Sequence, residues 1–132
     1  MSIQEYQVLL ARQHQQITQQ SIDADNHEAD PGPESELAKK IKLHSKQMGW
    51  PEPLIFPQTS AVRNFLPPGW PDCVIPIPEE HTLYVELKAG KAKRSDKQEL
   101  TRLMFMALGH TIHKINSFKG YLALIDKTLR RQ

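Results

Sequence analysis

Leu83-Tyr84-Val85-Glu86-Leu87-Lys88 (LYVELK) is an apolar and aromatic run that ends on a carboxylate and an ammonium. In an extended strand alternate side chains share a face, so Leu83, Val85 and Leu87 point one way and Tyr84, Glu86 and Lys88 the other. A strand from Thr82 to Lys88 therefore sets an acid beside a base. Asp72 to Ile77 is a second strand candidate, and the turn-forming Pro78-Glu79-Glu80-His81 between them predicts a hairpin. With the turn centred between Glu79 and Glu80, Asp72 falls opposite Leu87, one residue from Glu86. A slip of one residue would aim both carboxylates at a common point.

Working outward, Leu100, Leu103, Met104, Ala107 and Leu108 fit one face of a helix. Ser95 and Gln98 are spaced as its capping box. Gly109 ends that helix, Thr111 to Ile115 reads as a third core strand, and Phe118 to Leu129 as a closing helix with Tyr121, Leu122, Ile125 and Leu129 inward. On the other side, prolines 51, 53, 57, 67, 68 and 71 exclude helix and allow only short extended pieces such as Leu54 to Phe56 and Ser60 to Asn64. Before them, Leu37, Ile41, His44 and Met48 recur at helical spacing from Pro33 to Gly49. Residues 21–33 combine acids with Pro-Gly-Pro and read as a linker unable to order itself. Residues 2–20 are Gln-rich, with Ile3, Tyr6, Leu10 and Ile17 spaced for a thin amphipathic helix. The division is thus a tail, 1–33, and a folded domain, 34–132.

The 132 residues suffice for one domain with a core. No apolar run approaches the roughly 20 residues of a membrane span, and the start MSIQEYQVLL lacks the pattern of a signal peptide. The expected compartment is the cytoplasm. The single Cys73, beside Val74 and Ile75, reads as a small core residue rather than a nucleophile. The net charge of +2 hides an asymmetry: residues 1–33 hold one basic and five acidic groups, leaving sixteen basic against ten acidic in the rest. Residues 88–97 (KAGKAKRSDK) concentrate five basic groups against one Asp, a footprint suited to a polyanion.

Two adjacent carboxylates repel and raise one another's pKa unless a cation lies between them. Mg²⁺ is held by one or two carboxylates together with waters and phosphate oxygens. Lys88, one strand step from Glu86, can then hold the water that attacks phosphorus, while the metal stabilises the developing charge. The plainer reading makes Glu86 and Lys88 an ordinary polar face and Asp72 a turn residue. The spacing of His110 and His113 puts their rings on opposite faces of a strand, which argues against a zinc site.

Taken in order, ESELAKKIK, GWPD, VELK, the basic Gly-containing loop and SDKQ resemble the PD-(D/E)xK nuclease superfamily, and within it the VRR-NUC family of virus-type replication and repair nucleases. The resemblance covers roughly residues 34 to 125. It implies an α/β, restriction-endonuclease-like core: a central mixed β-sheet whose hairpin carries PD…ExK, flanked by helices. It also implies metal ligation by Asp72, Glu86 and the Leu87 backbone carbonyl, with Lys88 serving the attacking water. Glu36 becomes an outer or second-metal acid, and Gln98 orients the lysine or a metal-bound water. Read without the family, Glu36 would simply pair with Lys40 and Gln98 would only cap Ser95.

No base-reading motif is evident, so Lys91, Lys93, Arg94 and Lys97 are read as phosphate contacts that position DNA without specifying sequence. The resemblance implies a Mg²⁺- or Mn²⁺-dependent endodeoxyribonuclease acting on branched duplexes as a Holliday-junction resolvase does. Symmetric cutting of two strands implies a homodimer. The rivals are a flap or general endonuclease and a non-catalytic nucleic-acid-binding module on the same fold. A further rival is an interaction protein whose Gln-rich helix recruits a partner. RNA is an alternative substrate polymer.

Overall fold

The computed structural model describes residues 2–5, 28–56 and 66–130. Most of the expected N-terminal helix and the extended piece Ser60 to Asn64 lie outside them. The described chain is mixed α/β, in the order α1 (Glu34–Gln47), β1 (Leu54–Ile55), β2 (Cys73–Ile77), β3 (His81–Leu87), α2 (Asp96–Ala107), β4 (Ile112–Ile115) and α3 (Phe118–Arg130). Its four-stranded sheet runs β1-β2-β3-β4, antiparallel except for the parallel β3–β4 pair. That parallel pair needs a crossover, and α2 provides it.

The hairpin register differs by one residue from the sequence expectation. Cys73 pairs with Val85 and Ile77 with His81. Pro78, Glu79 and Glu80 form the loop, with Glu79 and Glu80 at φ 68° and 66°. The turn centres on Glu79 itself. Continuing the register by one step puts Asp72 opposite Glu86.

One sheet face packs against α1 and α3. Cys73, Ile75, Ile77, Leu83, Val85, Leu87 and Ile115 meet Leu37, Ile41, Tyr121, Leu124 and Ile125 in one apolar cluster. His44 lies edge-on to Trp50, Phe118 and Tyr121 and so ties α1 to α3. Helix α1 ends at Gly49, whose φ of 76° suits glycine. Gly49 N–H donates to the Lys46 carbonyl and Trp50 N–H to that of Ser45, the bond pair of a Schellman stop. Met48, expected inward, is 53% exposed because the helix has already ended there. In α3, Leu124 turns inward and Leu122 outward, against expectation.

The opposite face lies under α2 and mixes apolar Tyr84 and Ile112 with charged groups. Glu86 and its parallel partner Lys114 are both buried. Accordingly α2 buries Gln98, Thr101, Arg102, Leu103 and Met106. The expected apolar face is buried only in part: Leu103 is 7% exposed, whereas Met104 is 45% and Leu108 77% exposed. Charged groups in the sheet require polar partners, so Gln98, Thr101 and Arg102 share the buried side of α2 with Leu103 and Met106.

The linker expectation also fails at its C-terminal end. Asp30 N–H donates to the Asn116 carbonyl, and Asp30 Oδ2 accepts from Phe118 N–H at 2.7 Å. One acidic side chain thereby caps α3 and fastens the preceding chain to the domain. Among the described residues no helix is long and apolar enough to cross a membrane.

Candidate active site

Pro71 has no N–H, so backbone pairing between β2 and β3 cannot continue unchanged through it. Asp72, 3% exposed, takes over: its Oδ2 accepts from the Leu87 N–H at 3.0 Å. Its carbonyl accepts from Phe56 N–H at 2.9 Å, holding the β1 side as well. Gly69 fixes the approach. At φ 87° a methyl there would overlap the Lys97 carbonyl oxygen and Thr101 Oγ1, so the loop leading to Asp72 can lie on α2 only without a β-carbon.

Glu86 is fully buried. Its Oε2 accepts from Arg94 Nε at 2.9 Å, while Oε1 is buried without a hydrogen-bond partner. Burial pushes its carboxyl up to about 7, against the pull of Arg94 and Lys88 and with added repulsion from Asp72. Asp72 and Glu86 are therefore close enough to sense each other's charge.

Lys88 Nζ donates to Gln98 Oε1 at 2.7 Å. The same oxygen accepts from Ser95 N–H at 2.9 Å, and Ser95 Oγ accepts from Gln98 N–H at 3.2 Å. Gln98 thus completes the capping box and fixes the Lys88 ammonium at once, so its two readings are not exclusives. Glu99 neighbours this network. Burial works to raise its pKa, yet the hydrogen bonds and charge of Arg102, with Arg94 and Lys114 nearby, hold it below its ordinary value.

Two expected site residues stand elsewhere. Glu36 is exposed and pairs with Lys39, not Lys40, at 3.3 Å. Glu34 instead faces the site: its Oε1 accepts from Ala89 N–H at 3.3 Å, and it lines a cavity of about 740 Å³ together with Asp72, Leu87 and Ala89. The helical phase carries this signal, since Glu34 lies seven residues before Ile41 and shares its side of α1, whereas Glu36 does not. Arg94 is not an outward phosphate contact. Its side chain, 9% exposed, binds Glu86 and donates from Nη2 to the Ile112 carbonyl at 2.8 Å. Lys91, Lys93 and Lys97 remain exposed. Asn116 Nδ2 anchors the base of their loop by donating to the Gly90 carbonyl at 2.6 Å.

Cys73 is fully buried, and burial drives its thiol pKa far up, which matches the core reading. Among the described residues no group of three or more His, Cys, Asp or Glu side chains gathers as a metal cage. A pair of carboxylates still suits a cation that keeps waters and phosphate oxygens in its shell. Glu86 Oε1 supports that fit, because Arg94 engages only Oε2 and a buried carboxylate oxygen without a donor suits a cation. No family model matches the chain, and neither a curated protein nor a solved structure matches it.

Proposed function

We propose that the chain is a Mg²⁺- or Mn²⁺-dependent, structure-selective endodeoxyribonuclease of the PD-(D/E)xK type, similar to the VRR-NUC family, that hydrolyses phosphodiester bonds in branched DNA. One observation carries the reading: buried Asp72 and Glu86 stand beside a lysine held by Gln98, and one Glu86 oxygen lacks any hydrogen-bond donor. The restriction-endonuclease-like core belongs to the same proposal. It is supported by a hairpin bearing both acids, a parallel fourth strand and helices on both sheet faces.

Asp72, Glu86 and the Leu87 carbonyl would hold the metal, with Glu34 replacing Glu36 as the acid contributed by α1. When bound, the cation supplies charge to the scissile phosphate and lowers the pKa of a coordinated water. Lys88 positions the attacking water, whose oxygen bonds to phosphorus as the ester oxygen departs. Gln98 restricts the ammonium to one direction, so less orientational freedom is lost at the reaction. Arg94 holds Glu86 through Oε2, so Oε1 is the oxygen that would be available to a cation.

Cleavage of labelled four-way junction, flap, linear duplex and single-stranded DNA in Mg²⁺, Mn²⁺ or EDTA tests this, with Glu86→Ala as the control. Metal-dependent cutting that the substitution abolishes is expected, with the junction preferred. Preference for flaps would replace the resolvase assignment with a flap endonuclease. A strict monomer by light scattering would remove the homodimer. Binding without cutting under every condition would favour the non-catalytic module, a reading to which the Arg94–Glu86 ion pair lends some support.

A further inference from the structure

Lys39, Lys42 and Lys46 recur at i, i+3 and i+7 along α1 and are all exposed. Such spacing places them on one flank of a helix. Lys39 and Lys42 line the cavity that holds Asp72 and Glu34, and Lys42 and Lys46 line a second cavity next to it, with Trp50 and Glu52. Lys42 lines both, so the two adjoin at its side chain as a groove along this flank of α1. The helix that supplies Glu34 at its first turn thus supplies cations over its next two turns.

We infer that this groove is the track for one strand of a DNA duplex, with Lys39, Lys42 and Lys46 binding phosphates of that strand on the way to Asp72. The inference rests on the nuclease reading and adds a binding surface on α1 to the exposed lysines of the β3–α2 loop. Charge complementarity selects the occupant. From Lys39 to Lys46 the helix rises about 10 Å at 1.5 Å per residue. That length spans about three phosphate-to-phosphate steps of one strand at 3.4 Å of axis each, so the three ammonium groups can reach phosphates along a single strand. The competing Lys39–Glu36 pair is exposed on both sides and contributes little. Ile55 and Phe56 add apolar lining to the same cavity, a surface for deoxyribose rather than for phosphate. Through the Ala89–Glu34 hydrogen bond, the start of the basic loop meets the start of this helix. The two basic segments therefore flank a single mouth.

The test is binding of labelled linear duplex in EDTA across a salt series, read by fluorescence anisotropy. It compares the native chain, Lys39→Gln/Lys42→Gln/Lys46→Gln, and Lys40→Gln/Lys119→Gln/Lys127→Gln. Both triple variants remove the same charge, and the second takes it from outside the groove. The groove variant is expected to weaken binding at least about tenfold and to lower the log–log salt slope by about 2 to 3, with the control close to native. Equal losses in the two variants, or none in the groove variant while the native chain binds, would overturn the inference and leave the nuclease reading standing. A native chain that neither binds nor cuts any DNA would instead remove the nuclease reading and this inference with it. Thermal melts of both variants show whether each is folded.

Discussion

Lys88 and Glu86 test the chemistry at the level of single residues. On the proposed nuclease reading, in which the amine acts on the water and not on the polymer, Lys88→Ala should reduce turnover by about 10²- to 10⁴-fold while DNA affinity in EDTA changes little. Glu34→Gln should reduce metal-dependent cleavage, whereas Glu36→Gln should leave it within about twofold, since the Glu36–Lys39 pair is exposed. A carboxyl pushed up to about 7 must lose its proton before it can take a cation. Metal affinity should therefore rise by about tenfold per pH unit below 7 and level off above it. Calorimetric Mn²⁺ titration between acid and alkaline pH reads this directly, and a flat profile would mean that Glu86 is not the ligand. The sign for stability runs the other way. A raised acid favours the folded state while protonated, so its contribution is full below its ordinary 4.5 and is lost as pH rises through about 7.

Elements decide whether those residues meet. The capping box that starts α2 also holds Lys88, so Ser95→Ala should cost about 1 kcal/mol of stability. It should also lower turnover beyond what the stability loss explains, because Gln98 would lose its second anchor. Chemical denaturation beside single-turnover kinetics separates the two effects. Gly69→Ala should be more severe, since it combines a positive φ with an overlap against the Lys97 carbonyl. A soluble, folded variant with unaltered cleavage would show that the approach of this loop to α2 is not what fixes Asp72. The sequence made the capping box legible because both partners lie three residues apart. It misled on part of the buried face of α2, placing Leu103 inward correctly but Met104 and Leu108 not, because apolar periodicity cannot register that the sheet beneath holds Glu86 and Lys114.

For the whole molecule, the tie of Asp30 to Phe118 and Asn116 joins segments 86 and 88 residues apart in sequence. Asp30→Ala should lower the melting temperature by several degrees, as the loss of a helix-capping carboxylate of about 1 kcal/mol does in a domain of this size. No change would place the tie among the weak surface contacts. Residues 83–88 by themselves determined a strand with an acid and an amine on one face, since side-chain alternation is a local property of extended backbone. Local spacing likewise determined the α1 stop at Gly49, the hairpin and the capping box. The tertiary structure alone decided the hairpin register, the contact of Glu34 with the Ala89 N–H and the inward turn of Arg94 onto Glu86. Those outcomes depend on burial and on the partner each charge finds across the sheet, and such pairings join residues that no local pattern relates.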